Sequence, residues 1–265
     1  MYKYKSCAKL NSYLNITSKL SNGYHELSTH FQLIDLFDDI EFSKNTVLTF
    51  SSNTELDPKN NSIIKAIDWF NKKFNKRGVF KVSLNKNIPI GAGLGGGSSN
   101  CASTLKFLCD FYSVDLNTLD MDEVCFDLGA DVPIFLYGKS TYAAGCGQIF
   151  TKDYSHNSKY ILIAPNLSIS TKELFQSNHL HISPQVDESK NNFFEALINE
   201  SEEFNAFTNF FKKNIPNSMQ NKLRLTGTGS TLFIENPLQA EIELIMGKIE
   251  NNFRVFRVKG LEYYH

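Results

Sequence analysis

Residues Pro89 to Asn100 read Pro-Ile-Gly-Ala-Gly-Leu-Gly-Gly-Gly-Ser-Ser-Asn, and this glycine-rich segment carries most of the information about the fold. Glycine has no Cβ, so its backbone N–H groups can approach an anion closely and can adopt positive φ. An apolar repeat at helical spacing follows, and a helix start adds unpaired N–H donors and the positive end of the helix dipole. The stretch therefore predicts a loop that holds phosphate groups, with Ser98, Ser99 and Asn100 as N-cap residues of the helix.

Three other interpretations of this loop fit less well. A dinucleotide-binding fold would use Gly91, Gly93 and Gly96 and would place an acidic residue about 20 positions later at a strand end. Asp110 and Asp115 have about that spacing, but they follow a helix. A Walker A loop requires a Gly-Lys-Ser/Thr sequence, which is missing here. A flexible linker is seldom followed directly by an amphipathic helix.

The segments around the loop alternate between strand and helix patterns without a regular βαβ order, which favours an α+β fold. Polar residues at 154–159 mark the candidate boundary between two domains, 1–153 and 154–265. Period-2 patterns predict strands at 47–51, 79–84, 134–136, 141–144, 160–164, 223–225, 231–234 and 254–258. Helical periodicity and turn signals predict helices at 61–74, 121–128, 171–176, 191–197, 202–213 and 240–250.

The overall composition narrows the class of protein. The chain has 265 residues with 27 basic and 28 acidic ones, so its formal net charge is −1, which argues against nucleic acid as a partner. Its first residues lack the apolar segment of a secretory signal, and its apolar runs are too short to span a bilayer. We therefore expect a cytoplasmic protein without membrane contact. The odd number of cysteines predicts buried apolar thiols rather than disulfides: Cys7, Cys101, Cys109, Cys125 and Cys146.

The sequence does not predict a metal site made only of protein ligands, either from its histidines or from its acidic segment. The histidines lack metal-ligand spacing, and His179 and His181 lie in a polar segment that we expect to be solvated. The complete set is His25, His30, His156, His179, His181 and His265. Asp35, Asp38, Asp39 and Glu41 form an acidic cluster interleaved with apolar residues, which is typical of a solvated face.

Two charged residues stand in apolar surroundings. Lys9 lies in Cys-Ala-Lys-Leu-Asn and Asp131 in Gly-Ala-Asp-Val-Pro. A charge in such a segment is costly to bury unless it is paired. Each residue therefore forms a structural ion pair, faces solvent, or is part of a site. A second glycine motif, Arg224–Ser230, is either a hairpin turn or a loop that closes over phosphate or substrate. Phosphoryl transfer uses all these parts: a carboxylate, cations and backbone donors.

The order of the motifs resembles the GHMP kinase superfamily, named for galactokinase, homoserine, mevalonate and phosphomevalonate kinases. The resemblance rests on Ala8–Asn11, Pro89–Asn100, Gly129–Pro133 and Arg224–Ser230. The Asn-Gly-Tyr-His-Glu-Leu segment at 22–27, with Ser170, Thr171 and Phe175, is similar to the branch whose substrate carries cytidine diphosphate. These matches cover nearly the whole chain.

This resemblance implies a two-domain α+β fold and an enzyme that uses ATP with Mg²⁺ to phosphorylate a CDP-linked polyol in isoprenoid precursor synthesis. It implies Asp131 as the catalytic base, supported by Lys9. It implies nucleotide contacts at Asn61, Lys86, Gly91, Gly93, Gly95, Gly96, Gly97, Ser98 and Ser99. It further implies that Tyr24 and Phe175 enclose a cytosine ring, that His25 reads its polar edge, and that the rest of the substrate meets Asn11 and Thr171.

Two alternatives remain open from the sequence. Another GHMP-type kinase, acting on homoserine or mevalonate, would have no need of Tyr24, His25 and Phe175. A non-catalytic nucleotide-binding protein of the same fold would have no reason to keep Lys9 with Asp131. We expect a monomer or a weakly associated homodimer.

Overall fold

The structure is a computed structural model that describes residues 1–21, 23–57, 61–167 and 169–264. Asn22 and His265 lie outside the described residues. The helices are α1 (Ser62–Lys73), α2 (Gly96–Tyr112), α3 (Met121–Leu128), α4 (Val132–Tyr137), α5 (Thr171–Phe175), α6 (Phe193–Glu200), α7 (Glu202–Asn214), α8 (Asn217–Gln220) and α9 (Gln239–Lys248). The strands are β1 (Tyr2–Lys19), β2 (His25–Lys44), β3 (Thr49–Ser52), β4 (Phe80–Asn85), β5 (Thr141–Ala144), β6 (Ile149–Asp153), β7 (Lys159–Ala164), β8 (Arg224–Leu225), β9 (Leu232–Glu235) and β10 (Arg254–Leu261).

The strands form one sheet built around the long antiparallel pair of β1 and β2. The central path runs β3-β4-β2-β10-β7-β9-β8, and β5 also pairs with β2. Its pairs are antiparallel except for β3 with β4, so the sheet needs few crossover connections. β10 pairs with β2 through Gly260↔Ile34 and with β7 through Val258↔Tyr160, which makes the sheet continuous across the predicted boundary at 153/154. The mixture of this sheet with flanking helices confirms the α+β prediction.

Helices α1 and α2 pack on the N-terminal half of the sheet because each presents an apolar face. On α1 this face consists of Ile63, Ala66, Ile67 and Phe70, all of them buried. The Asn61 side chain caps this helix by accepting a hydrogen bond from the Ile63 N–H. The buried residues around α1 and α2 form one hydrophobic cluster. A second hydrophobic cluster packs α6 and α7 on the C-terminal strands, and a smaller cluster lies between these two. The start of α2 is thereby held against the middle of the sheet.

Two local predictions were wrong, one for the segment 134–136 and one for the N-cap of α2. The segment 134–136 was expected to be a strand but belongs to α4, since a short apolar run fits either element. Helix α2 is not capped by Ser98, Ser99 or Asn100. Gly95, in the left-handed conformation, is the N-cap residue, and these three polar residues lie inside the first turns.

The predictions for the cysteines and for His179 and His181 agree with the structure. The five cysteines are free and buried, and His179 and His181 are exposed. In the described parts of the chain, no helix has the length and apolar character needed to cross a membrane. Strands β1, β2 and β6 and the short helix α8 were not predicted from the sequence.

Candidate active site

A cleft of about 1400 Å³ opens between the phosphate loop, the end of β1, the start of β2 and helix α5. This exceeds the roughly 300–1,000 Å³ that one small ligand usually occupies, so the cleft has room for two. Every site residue named from the sequence lines it except Ser99. Residues more than 150 positions apart, such as Lys9 and Phe175, therefore meet at one surface.

Ser99 differs from the other residues named from the sequence because it does not line the cleft. Its residue is fully buried in α2, and its Oγ has no hydrogen-bond partner among the described residues. The Ser99 N–H donates to the Gly95 carbonyl as part of the helix. Ser98, one position earlier, does line the cleft. Neighbouring helix positions point in different directions, and the sequence alone did not fix which serine faces inward.

The conformation of the phosphate loop depends on glycine at Gly93 and Gly95. Their φ angles are +77° and +72°, a region that other residues rarely adopt. A Cβ at Gly95 would also lie 2.8 Å from Cζ of Phe135 and 3.1 Å from Cε of Lys9. The turn at Gly95 starts α2, so the N–H groups of its first turn lack intrahelical partners. The cleft thus contains a helix start suited to an anion.

The second glycine motif reaches the first. It connects β8 to β9, and it contributes Gly227, Thr228 and Gly229 to the cleft. A Cβ at Gly227 would lie 2.8 Å from the Gly93 carbonyl oxygen and 3.2 Å from Nζ of Lys9. The motif is therefore a hairpin connection, as one reading of the sequence expected, and it also packs against the phosphate loop. That it closes over phosphate or substrate stays a prediction.

Lys9 joins the phosphate loop to Asp131. Its Nζ lies 3.1 Å from Oδ2 of Asp131, 3.1 Å from the Gly93 carbonyl oxygen and 2.6 Å from Oδ1 of Asn11. The three N–H donors of the ammonium are thus engaged. The Lys9 side chain is 3% exposed and that of Asp131 34%, so the cation is enclosed while the carboxylate faces the cleft. Asp131 is the N-cap residue of α4, but its side chain makes no capping hydrogen bond to the N–H groups of that helix.

Asp38 was wrongly predicted to face solvent. It is fully buried, and its Oδ2 accepts from Nζ of Lys86 at 2.6 Å and from Nδ2 of Asn100 at 2.9 Å. Its Oδ1 accepts from the N–H groups of Asn87 and Ile88. Burial lowers the pKa of Lys86, and the attraction of Asp38 opposes that shift. The carboxylate ties β2 to the segment before the phosphate loop and to α2.

The aromatic residues of the cleft that were named from the sequence contact other rings in the described part of the chain. The rings of His25 and Phe175 are stacked, with centroids 5.1 Å apart and 23° between their planes. Tyr24 meets Phe126 edge to face at 5.0 Å. Burial and the nearby charge of Lys19 lower the pKa of His25, so the imidazole is neutral at neutral pH and offers one donor and one acceptor.

The charge of the cleft favours anionic ligands. Among the described residues that line it are four lysines and two aspartates: Lys9, Lys19, Lys86, Lys172, Asp57 and Asp131. Lys19 and Lys172 were not named from the sequence, because surface lysines are common in this chain and neither lies in a recognised motif. Within the described ranges, no group of three or more His, Cys, Asp or Glu side chains could hold a metal ion.

Comparison with known proteins agrees with the class that this geometry indicates. The family model of the GHMP kinase N-terminal domain matches residues 61–139. A crystal structure of a 4-(cytidine 5'-diphospho)-2C-methyl-D-erythritol kinase superposes with a TM-score of 0.77 at 21% identity, covering 98% of this chain and 99% of that one. Homoserine kinase from Cytophaga hutchinsonii superposes with a TM-score of 0.62 at 14% identity, over 98% and 96%. The fold is that of the GHMP kinases.

Sequence relatives narrow the class further. The 4-diphosphocytidyl-2-C-methyl-D-erythritol kinase of Francisella tularensis subsp. holarctica is 39% identical over 98% of this chain and 97% of its own length. The enzyme of the same name from Acinetobacter baylyi is 34% identical over 89% and 87%. The chain belongs to the family of 4-diphosphocytidyl-2-C-methyl-D-erythritol kinases.

Proposed function

We propose that this protein transfers the γ-phosphoryl group of ATP to the 2-hydroxyl of 4-diphosphocytidyl-2-C-methyl-D-erythritol. The observation that carries the proposal is the position of Lys9 Nζ, which contacts both Asp131 and the Gly93 carbonyl of the phosphate loop. A hydroxyl held by Asp131 would lie beside phosphate groups held at the start of α2. The cleft volume supports simultaneous binding of the nucleotide and the acceptor.

In the proposed reaction the acceptor oxygen forms a bond to the γ-phosphorus as the bond to the β,γ-bridging oxygen breaks. Asp131 orients the hydroxyl and accepts its proton, and ADP leaves. Lys9 supplies a positive charge next to the oxygens that become more negative in the transition state. Asn61, Lys86 and the glycines of the loop would hold ATP.

The residues present fit a Mg²⁺ ion that arrives with ATP. Mg²⁺ prefers oxygen ligands and usually combines one or two carboxylates with phosphates and waters, so a larger acidic cluster is unnecessary. The hydroxyl of Ser98, which lines the cleft, would be one of its oxygen donors, while Asp131 stays free to accept the proton of the acceptor hydroxyl. When bound, the ion would neutralise charge on the phosphates.

Recognition of the cytosine ring is proposed for Tyr24, His25 and Phe175. The stacked pair of His25 and Phe175 offers an aromatic face, and Tyr24 lies beside His25 in the chain with 44% of its surface exposed. The imidazole of His25 covers one face of Phe175. A base that stacks on this face would displace the imidazole, and the imidazole would then turn towards the edge of the base. The neutral imidazole has the donor and acceptor that this edge requires. Asn11 and Thr171 would contact the remainder of the substrate.

The experiment is ADP release measured with plain polyols, CDP-linked polyols and homoserine as acceptors. We expect turnover of the CDP-linked methylerythritol alone, and a kcat at least about 100-fold lower for Asp131→Asn, because that variant keeps the shape of the residue but loses the base. ATP affinity, measured by calorimetry, serves as the control and should be nearly unchanged. Equal turnover of a plain polyol would contradict the substrate, and normal turnover by Asp131→Asn would remove Asp131 from the mechanism.

We also propose that the protein is cytoplasmic and that it is a monomer or a weakly associated homodimer. Five free buried thiols are typical of a reducing compartment. Gel filtration with light scattering tests the assembly.

A further inference from the structure

Thr29 lies behind the Lys9–Asp131 pair in a chain of hydrogen bonds that the proposed reaction leaves unexplained. This β2 residue is fully buried and belongs to no motif named from the sequence. Its Oγ1 donates to the Tyr13 carbonyl oxygen at 2.6 Å and accepts from Nδ2 of Asn11 at 2.8 Å. Asn11 is also buried, and its Oδ1 accepts from Nζ of Lys9 at 2.6 Å.

The direction of this chain is fixed at both of its ends. A backbone carbonyl can only accept, so the single hydroxyl proton of Thr29 points to Tyr13. The Thr29 oxygen must then accept from Asn11, which orients the amide with its nitrogen towards Thr29. The amide oxygen consequently faces Lys9, whose ammonium can only donate. A flipped amide would place N–H groups against the ammonium.

The orientation of Lys9 follows from that of Asn11. One of the three N–H donors of Lys9 goes to Asn11, and a second goes to the Gly93 carbonyl, so the third points to Asp131. We propose that Thr29 is a positioning residue that acts through Asn11 to hold the Lys9 ammonium against Asp131. The expected change in kcat rests on the proposed function. The hydrogen bonds themselves do not, since they exist without substrate.

Thr29→Val is the decisive variant because valine has nearly the same shape and lacks the hydroxyl. We expect kcat to fall about 10- to 100-fold, the range seen when an outer partner of a functional side chain is lost. The KM for ATP should change little, because the phosphate loop keeps its glycines and its helix start. Thr29→Ser, which retains the hydroxyl, should restore most of kcat.

A double-variant cycle separates positioning from a general loss of stability. If Thr29 acts only through Asn11, Thr29→Val should have no further effect on kcat in the Asn11→Ala background. An effect of equal size in both backgrounds would overturn the proposal. So would a lowered melting temperature with unchanged kcat. Should Thr29→Val fail to fold, Thr29→Ala removes the same hydroxyl without adding a methyl group.

One readout does not depend on turnover. The Nδ2 protons of Asn11, identified in the NMR spectrum by their disappearance in Asn11→Ala, should exchange slowly with water in the native protein and in Thr29→Ser. They should exchange much faster in Thr29→Val, and unchanged exchange would overturn the proposal. If no acceptor is phosphorylated, the proposed function fails while this measurement still decides the role of Thr29.

Discussion

At the scale of single residues, Gly96 shows how a missing Cβ shapes the phosphate loop. Unlike Gly91, Gly93 and Gly95, it does not have positive φ, because it is already the first residue of α2. Its requirement for glycine is one of space. A Cβ there would lie 2.6 Å from Nζ of Lys86 and 2.9 Å from Cγ2 of Ile88.

We therefore expect Gly96→Val to weaken ATP binding about 5- to 150-fold. The branched side chain would displace Lys86 and Ile88 and push the start of α2 away, and overpacking of this kind costs about 1–3 kcal/mol. The measurement is calorimetric titration with ATP.

Gly247→Ala is the control for this substitution. Gly247 also lies within a helix, α9, but it does not line the cleft, and a Cβ added there would have open space around it. Alanine also favours a helix over glycine. The control should bind ATP nearly normally, and similar losses in both variants would show that crowding at Lys86 is not the cause.

At the scale of elements, the sequence predicts best where periodicity is strong and local. Helices α1, α3 and α7 were predicted to within two residues, because their apolar spacing and their caps lie within the element itself. Asp38 could not be predicted to be buried, because its partner Lys86 lies 48 residues away. Lys9 and Asp131 could be singled out as costly charges, but their pairing depends on how β1 meets α4.

The Asp38–Lys86 pair holds three elements together, so we expect Asp38→Asn to lower the free energy of unfolding by on the order of 3–5 kcal/mol. Asparagine keeps an acceptor for the N–H groups of Asn87 and Ile88, but it leaves the buried Lys86 ammonium without a countercharge. Urea unfolding measures the change through its midpoint and slope.

A second substitution tests the cause. Adding Lys86→Met to Asp38→Asn removes the stranded cation, and the double variant should recover much of the lost stability. A loss below about 1 kcal/mol in Asp38→Asn, or no recovery in the double variant, would show that the pair does not stabilise the fold.

At the scale of the whole molecule, the cleft is assembled from distant parts of the chain. The phosphate loop meets the second glycine motif at Gly93 and Gly227, and the stacked rings of His25 and Phe175 join β2 to α5. The sequence identified nearly all of these residues by resemblance, but it could not supply their contacts. That His25 covers a face of Phe175 was visible only once the fold had brought both rings together.

Tyr24 lies between β1 and β2, whereas the phosphate loop leads into α2, so we expect ATP and the CDP-linked substrate to depend on different residues. If Tyr24 stacks on cytosine, Tyr24→Ala should weaken the CDP-linked substrate about 5- to 150-fold, since a base–aromatic stack contributes roughly 1–3 kcal/mol. The KM for ATP should hardly change, because the phosphate loop is formed by other elements. A uridine analogue should be rejected, because its reversed donor and acceptor pattern would leave buried polar groups unpaired.

Phe126 provides the matched control for Tyr24, because its ring packs edge to face on Tyr24 but does not line the cleft. Both side chains are similarly exposed, 44% for Tyr24 and 43% for Phe126, so truncating either one should cost comparable packing. Phe126→Ala should therefore lower stability about as much as Tyr24→Ala while affecting the CDP-linked substrate far less. If the two variants weaken that substrate equally, or if Tyr24→Ala impairs ATP and the CDP-linked substrate alike, Tyr24 is a packing residue and the cytidine assignment fails at this position.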